Sequence, residues 1–179
     1  MKKQILLLPI LTLVFMFTSC TDDSDPVNEE EVITTMTVTL TPDTGGTDVV
    51  LQTRDLDGEG GEDPTVTVSG PLTSGVSYSG SIVILNEIDN ENITEEIEEE
   101  DDEHQFFFVV GSGLDVTTSY DDQDGNGNPV GLSFTLTAGS ASGGDFTVTL
   151  RHEPTKPNTG INDAGGETDI EETFVITIQ

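Results

Sequence analysis

Basic side chains are scarce in this 179-residue chain: five Lys and Arg stand against 35 Asp and Glu, a formal charge of −30 at pH 7. Such a surface repels phosphate backbones and anionic membranes and concentrates cations, so nucleic acid is excluded as a partner. There is no Trp, and Tyr78 and Tyr120 are the only tyrosines, which leaves no aromatic platform for stacking a sugar. The single cysteine, Cys20, rules out an intramolecular disulfide. A nucleophile elbow and a phosphate-cradling glycine motif are also missing. Paired carboxylates abound, but in so acidic a chain their proximity carries no information about acid–base catalysis. The expectation is a binding or structural protein, not an enzyme.

One long apolar run is present, Ile5 to Phe17, after a basic start at Lys2-Lys3. It is too short to span as a retained helix and has the form of a secretory signal. The chain therefore divides into a signal peptide (1–19), an acidic tether (20–31) and a single domain (32–179). Without Lys2 and Lys3 it keeps three basic side chains, Arg54, Arg151 and Lys156, against all 35 acids, a charge of −32. The tether has nothing apolar to bury and reads as flexible.

Thr18-Ser19-Cys20 resembles the bacterial lipobox, with Phe17 where leucine is commoner. The resemblance implies that Cys20 becomes a lipidated N-terminus that anchors the protein to a membrane. The acidic stretch Thr21-Asp-Asp-Ser-Asp25 is similar to the surface-export signal of Bacteroidota lipoproteins, which implies the outer membrane with the domain facing outward.

From Val32 the apolar period is two. Met36, Val38 and Leu40 alternate with threonines, and further strands are expected at 49–53, 65–69 and 78–86. The second half repeats the order at 105–110, 116–120, 132–137 and 145–152, and Phe174 to Ile178 forms a ninth strand. Glycine-rich and Asp-Gly turns separate them. An all-β, antiparallel two-sheet sandwich built from an internal duplication is expected, with a barrel as the alternative.

Between the halves lies Asn92-Ile-Thr-Glu-Glu-Ile-Glu-Glu-Glu-Asp-Asp-Glu-His104. Asn92 followed by Glu95 resembles a capping box, and Ile93 and Ile97 share a face, so a short acidic helix or a solvated loop is expected. Like-charge pairs such as Glu95/Glu99 and Glu98/Asp102 each cost about 0.2–0.5 kcal/mol, and acids crowd the negative end of the helix dipole. A bound cation would offset both.

Two kinds of site emerge. Asp55-x-Asp57-x-Glu59-Gly60 and Asp122-x-Asp124-x-Asn126-Gly127 match the first half of a calcium loop, with oxygens at positions 1, 3 and 5. Position 12 would be Val66 or Ser133, so these are not EF-hands, and hairpin-turn chemistry accounts for the same residues. The second constellation follows from strand parity. His104 shares a face with Phe106 and Phe108, and His152 with Leu150 and Val148. Aligning the halves places Glu87 where His152 stands, and Glu172 where His104 stands. Two imidazoles with Glu87, Glu103, Glu153 or Glu172 suit zinc or a similar divalent cation, although histidines at strand ends are commonly just solvated. Parity does not say whether His104 and His152 share one rim. Bis-histidine haem ligation is a further option.

The acidic run leading into Glu103-His-Gln-Phe-Phe107, the Asp-x-Asp-Gly loops and Arg151-His-Glu-Pro154 resemble small Bacteroidota surface lipoproteins over nearly the whole mature chain. Such proteins often carry the label of a type 1 periplasmic binding fold. That fold alternates helices with parallel strands, and this sequence offers neither. The expected function is metal binding at the outer membrane, as an accessory to an uptake receptor there. The alternative is a structural or adhesive module with calcium in its Asp-rich loops.

Overall fold

The computed structural model describes residues 32–58 and 61–179. The stretches expected to form a signal peptide and tether, Cys20 among them, and the loop residues Glu59 and Gly60 lie outside the described residues. Nine strands form: β1 (Thr35–Pro42), β2 (Val49–Arg54), β3 (Thr65–Val68), β4 (Ser77–Leu85), β5 (His104–Val110), β6 (Val116–Tyr120), β7 (Ser133–Ala138), β8 (Ser142–His152) and β9 (Glu167–Ile178). Two short helices accompany them, α1 (Ile93–Glu99) and α2 (Ile161–Ala164). Among the described residues no helix is long and apolar enough to cross a membrane.

The strands make two antiparallel sheets, one ordered β3-β2-β1-β4-β7-β6 and the other β5-β8-β9. The alternation in sequence sets which face is buried. Met36, Val38 and Leu40 on β1 and Ile82 and Ile84 on β4 meet Phe106 on β5, Phe146, Val148 and Leu150 on β8, and Phe174 and Ile176 on β9 in one core. Each phenylalanine in such a core contributes about 2–3 kcal/mol through burial. Phe108 packs 4.2 Å from Phe134 across the sandwich, centroid to centroid. Phe134 in turn lies over Gly80 of the neighbouring strand, where an added Cβ would come 2.5 Å from its ring.

The two halves begin alike and then diverge. In each, the first strand pairs with the fourth, β1 with β4 and β5 with β8. The β2-β3 hairpin stays beside β1, whereas the β6-β7 hairpin leaves β5 and pairs with β4 in the opposite sheet. That crossing leaves one half of the domain with the larger sheet.

The linker between the halves is a helix for only seven residues. Ile93 and Ile97 are buried on one face as their spacing predicts. Asn92 makes no capping bond to the backbone; its side-chain amide donates to the Glu95 carboxylate at 2.9 Å instead. Because the helix ends at Glu99, Asp102 and Glu103 fall outside it. Glu98 and Asp102 are therefore not an i, i+4 pair within the helix.

Candidate metal site at the end of strands β5 and β8

The register of β5 and β8 places His104 directly opposite His152, so the two histidines share one rim. Their rings stack with centroids 4.8 Å apart and planes 7° from parallel. The ladder extends one residue further, where the Glu153 N–H donates to the Glu103 carbonyl at 2.7 Å. Cross-strand neighbours point to the same side of an antiparallel pair. That puts Glu103 and Glu153 on one side, and at Glu153, where the left-handed backbone ends the regular alternation, His152 joins them: ligand atoms of all three lie within 4.8 Å of one another, with His152 Nε2 3.9 Å from Glu103 Oε2. Donor atoms around a tetrahedral zinc stand about 3.4 Å apart, given bond lengths near 2.1 Å. Closing the group by up to about 1.4 Å is within the rotamer freedom of glutamates as exposed as Glu103 and Glu153.

The backbone holds this corner in an uncommon conformation. Glu153 has φ 49°, a left-handed geometry that non-glycine residues adopt at a cost of about 1–2 kcal/mol. Gly166 packs against it so tightly that an added Cβ would overlap the His152 carbonyl oxygen. His152 also has a second cross-strand neighbour, Glu167 on β9, brought into register by an irregularity between Leu150 and Arg151.

His104 plays a different part from His152. It is 1 % exposed, and its Nδ1 lies 3.1 Å from the Glu100 carbonyl, which can only accept, so Nδ1 carries the proton. Burial above all pushes its pKa below the ordinary value; the bond to Glu100 opposes this, and the His152 charge adds to the lowering. A ligated metal lies in the plane of each imidazole that binds it. Two nearly parallel planes share no such point, so in this arrangement His104 backs His152 and does not join it on one cation. The same stacking disfavours haem, whose axial nitrogens must point at each other across the macrocycle.

The remaining candidate ligands lie elsewhere. Glu87 grips Arg54 bidentately, at 2.8 and 2.6 Å, and accepts from the Thr35 hydroxyl at 2.5 Å. Those bonds, Arg54 foremost, bring its carboxyl down to about 2. Glu172 is opposite Val148, four residues along β8 from His152, or about 13 Å at the rise of a strand. The duplication that suggested it does not account for the register of β9.

The Asp loops direct their carboxylates at the chain itself. Asp55 Oδ1 accepts from the N–H groups of Asp57 and Gly58, and Asp57 Oδ2 from that of Glu62. Asp122 accepts from Gly131 and Ser133. The Asn126 backbone N–H donates to Asp124 Oδ1, so that loop is closed by turn chemistry. Asp124 is buried and also accepts from the N–H and side-chain amide of Asn128. Its cationic partner is Lys156, at 3.4 Å with side chains 5 % and 0 % exposed. Burial pushes the Asp124 carboxyl up, but the Asn128 and Asn126 bonds and the Lys156 charge outweigh it, and the net shift is downward.

Lys156 was not among the residues that pattern alone singles out. Its ammonium also donates to the Asp101 carbonyl at 2.6 Å and the His104 carbonyl at 2.7 Å. It thus supplies the positive charge that the acidic end of α1 calls for, and it fixes the start of β5 on which Glu103 and His104 ride. The available signal was that it is the only lysine of a domain so rich in acids. Comparison with protein-family models, curated proteins and solved structures finds no match.

Proposed function

We propose that this protein is a lipid-anchored outer-membrane protein, facing the cell exterior, that captures a divalent, zinc-like cation without catalysing a reaction. The observation that carries the reading is the convergence of Glu103, His152 and Glu153 at the end of the β5-β8 pair. One nitrogen and two carboxylates form a borderline donor set suited to zinc and its neighbours. Three protein ligands on an open rim leave coordination positions free, as delivery of a cation to an outer-membrane receptor would require. The surrounding acids raise the local cation concentration. Cys20 and the acidic tether support the placement at the membrane by their resemblance to lipoprotein signals.

The test is imidazole NMR during addition of zinc to untagged protein. His152 Nε2 is expected to shift and saturate near one equivalent, while the His104 Nδ1–H stays protonated. If neither ring responds, the reading is wrong.

A further inference from the structure

Strand β4 changes partners along its length. β7 pairs with Ser77 to Ser81. Beyond that point the Ile82 N–H reaches the Leu132 carbonyl at 3.0 Å. The Ile84 N–H bonds to the Thr94 hydroxyl at 2.8 Å, and that hydroxyl donates back to the Ile84 carbonyl at 3.2 Å. Helix α1 thus stands where another strand would have continued the sheet. Between α1 and the chain around 122–133 an open cleft of about 480 Å³ remains, within the roughly 300–1,000 Å³ of small-molecule sites.

The cleft combines two chemistries. Ile82, Val83, Val130 and Leu132 give it an apolar lining, and Val83 is 42 % exposed. Glu98, Asp101 and Asp122 stand among the same lining residues, with no lysine or arginine to balance them. Of the three basic side chains of the described residues, Arg54 is engaged with Glu87 and Arg151 with the Gly166 carbonyl, and Lys156, whose side chain is not among the lining, is paired with Asp124 and meets the cleft residues only at the Asp101 backbone carbonyl. The backbone N–H groups of Gly131 and Ser133 hold the Asp122 carboxylate in place.

We propose that this cleft binds a small organic cation with an apolar body, a protonated amine on a hydrocarbon or aromatic frame. The apolar lining takes the body out of water, and the carboxylates take the ammonium. Neutral analogues gain only the first of these, and anionic ones are repelled. None of Glu103, His152 and Glu153 lines the cleft, so the inference stands apart from the metal reading.

The experiment titrates the protein with 4-phenylbutylamine, 4-phenylbutanol and 4-phenylbutyrate, following methyl NMR. The amine should saturate and shift the methyls of Val83, Val130 and Leu132. The alcohol should bind about tenfold more weakly, given unscreened attraction from two or three carboxylates near the rim, and the carboxylate should not bind. Val83→Arg, at an exposed strand position, should abolish amine binding. Glu98→Gln, at an exposed helix position, should weaken it severalfold even if Val83→Arg fails to fold. Equal binding of amine and alcohol, shifts confined to other methyls, or no saturable binding would each overturn the proposal.

Discussion

Replacing Lys156 by Met tests the buried centre on which the metal corner rests. The methionine fills most of the volume of the lysine stem but removes a cation from a pair whose side chains are 5 % and 0 % exposed. Breaking a buried pair from one side costs about 3–5 kcal/mol. The Asp101 and His104 carbonyls each lose a donor as well, at about 1 kcal/mol or more apiece. Against this, Asp124 keeps the Asn126 N–H and both Asn128 donors, which favours the lower end for the pair, about 5 kcal/mol with the two carbonyls included. In a domain of this size that is a fall in melting temperature of about 10–20 °C. Urea denaturation of Lys156→Met, Asp124→Asn and the double variant measures it. The double variant should recover at least about 1 kcal/mol relative to additivity, because neutralising Asp124 removes the stranded charge. A loss below about 1 kcal/mol for Lys156→Met, or strict additivity, would refute the reasoning.

Two further outcomes follow from the packing and the charges. Gly80→Ala should destabilise the domain by about 1–3 kcal/mol through overpacking, since its Cβ would press on the buried Phe134 ring; equilibrium denaturation reads this directly. The Glu87 carboxyl is lowered from 4.5 to about 2 by Arg54 and Thr35. Its contribution to stability is therefore complete above about pH 4.5 and is lost as the pH falls through that interval toward 2. Acid titrations of wild type and Glu87→Gln should diverge below pH 4.5, with the variant losing less on acidification.

Much of the fold was legible because period-two alternation reports burial directly. Met36, Val38 and Leu40 are inside as their parity requires, and nine strands form near the expected positions, although β9 begins at Glu167, seven residues before the apolar alternation that marks it. Parity also placed His104 and His152 on the core-facing side of their strands. Register and rotamer were not legible. Alternation does not say that the two histidines face each other or that their rings stack. The internal alignment was blind to the register of β9, which sets Glu172 opposite Val148, and to the irregularity beside Leu150 that brings Glu167 opposite His152. It was equally blind to the β6-β7 hairpin crossing to the other sheet, since both sheets bury the same kinds of residue. The grip of Arg54 on Glu87 depends on β2 and β4 flanking β1, a long-range fact with no local trace. The acidic run did signal a need for positive charge at the end of α1, and Lys156, more than fifty residues away, meets it.

Whether Glu103, His152 and Glu153 hold a divalent cation is decided by calorimetric titration of untagged protein with zinc and with calcium. Zinc should bind saturably near one equivalent, with binding lost in His152→Ala and weakened at least about tenfold in Glu103→Gln, and calcium should bind only weakly. Zinc binding that is weak, multi-site and unchanged in His152→Ala would contradict it. Calcium binding that depends on Asp57 or Asp124 would favour the structural or adhesive module instead.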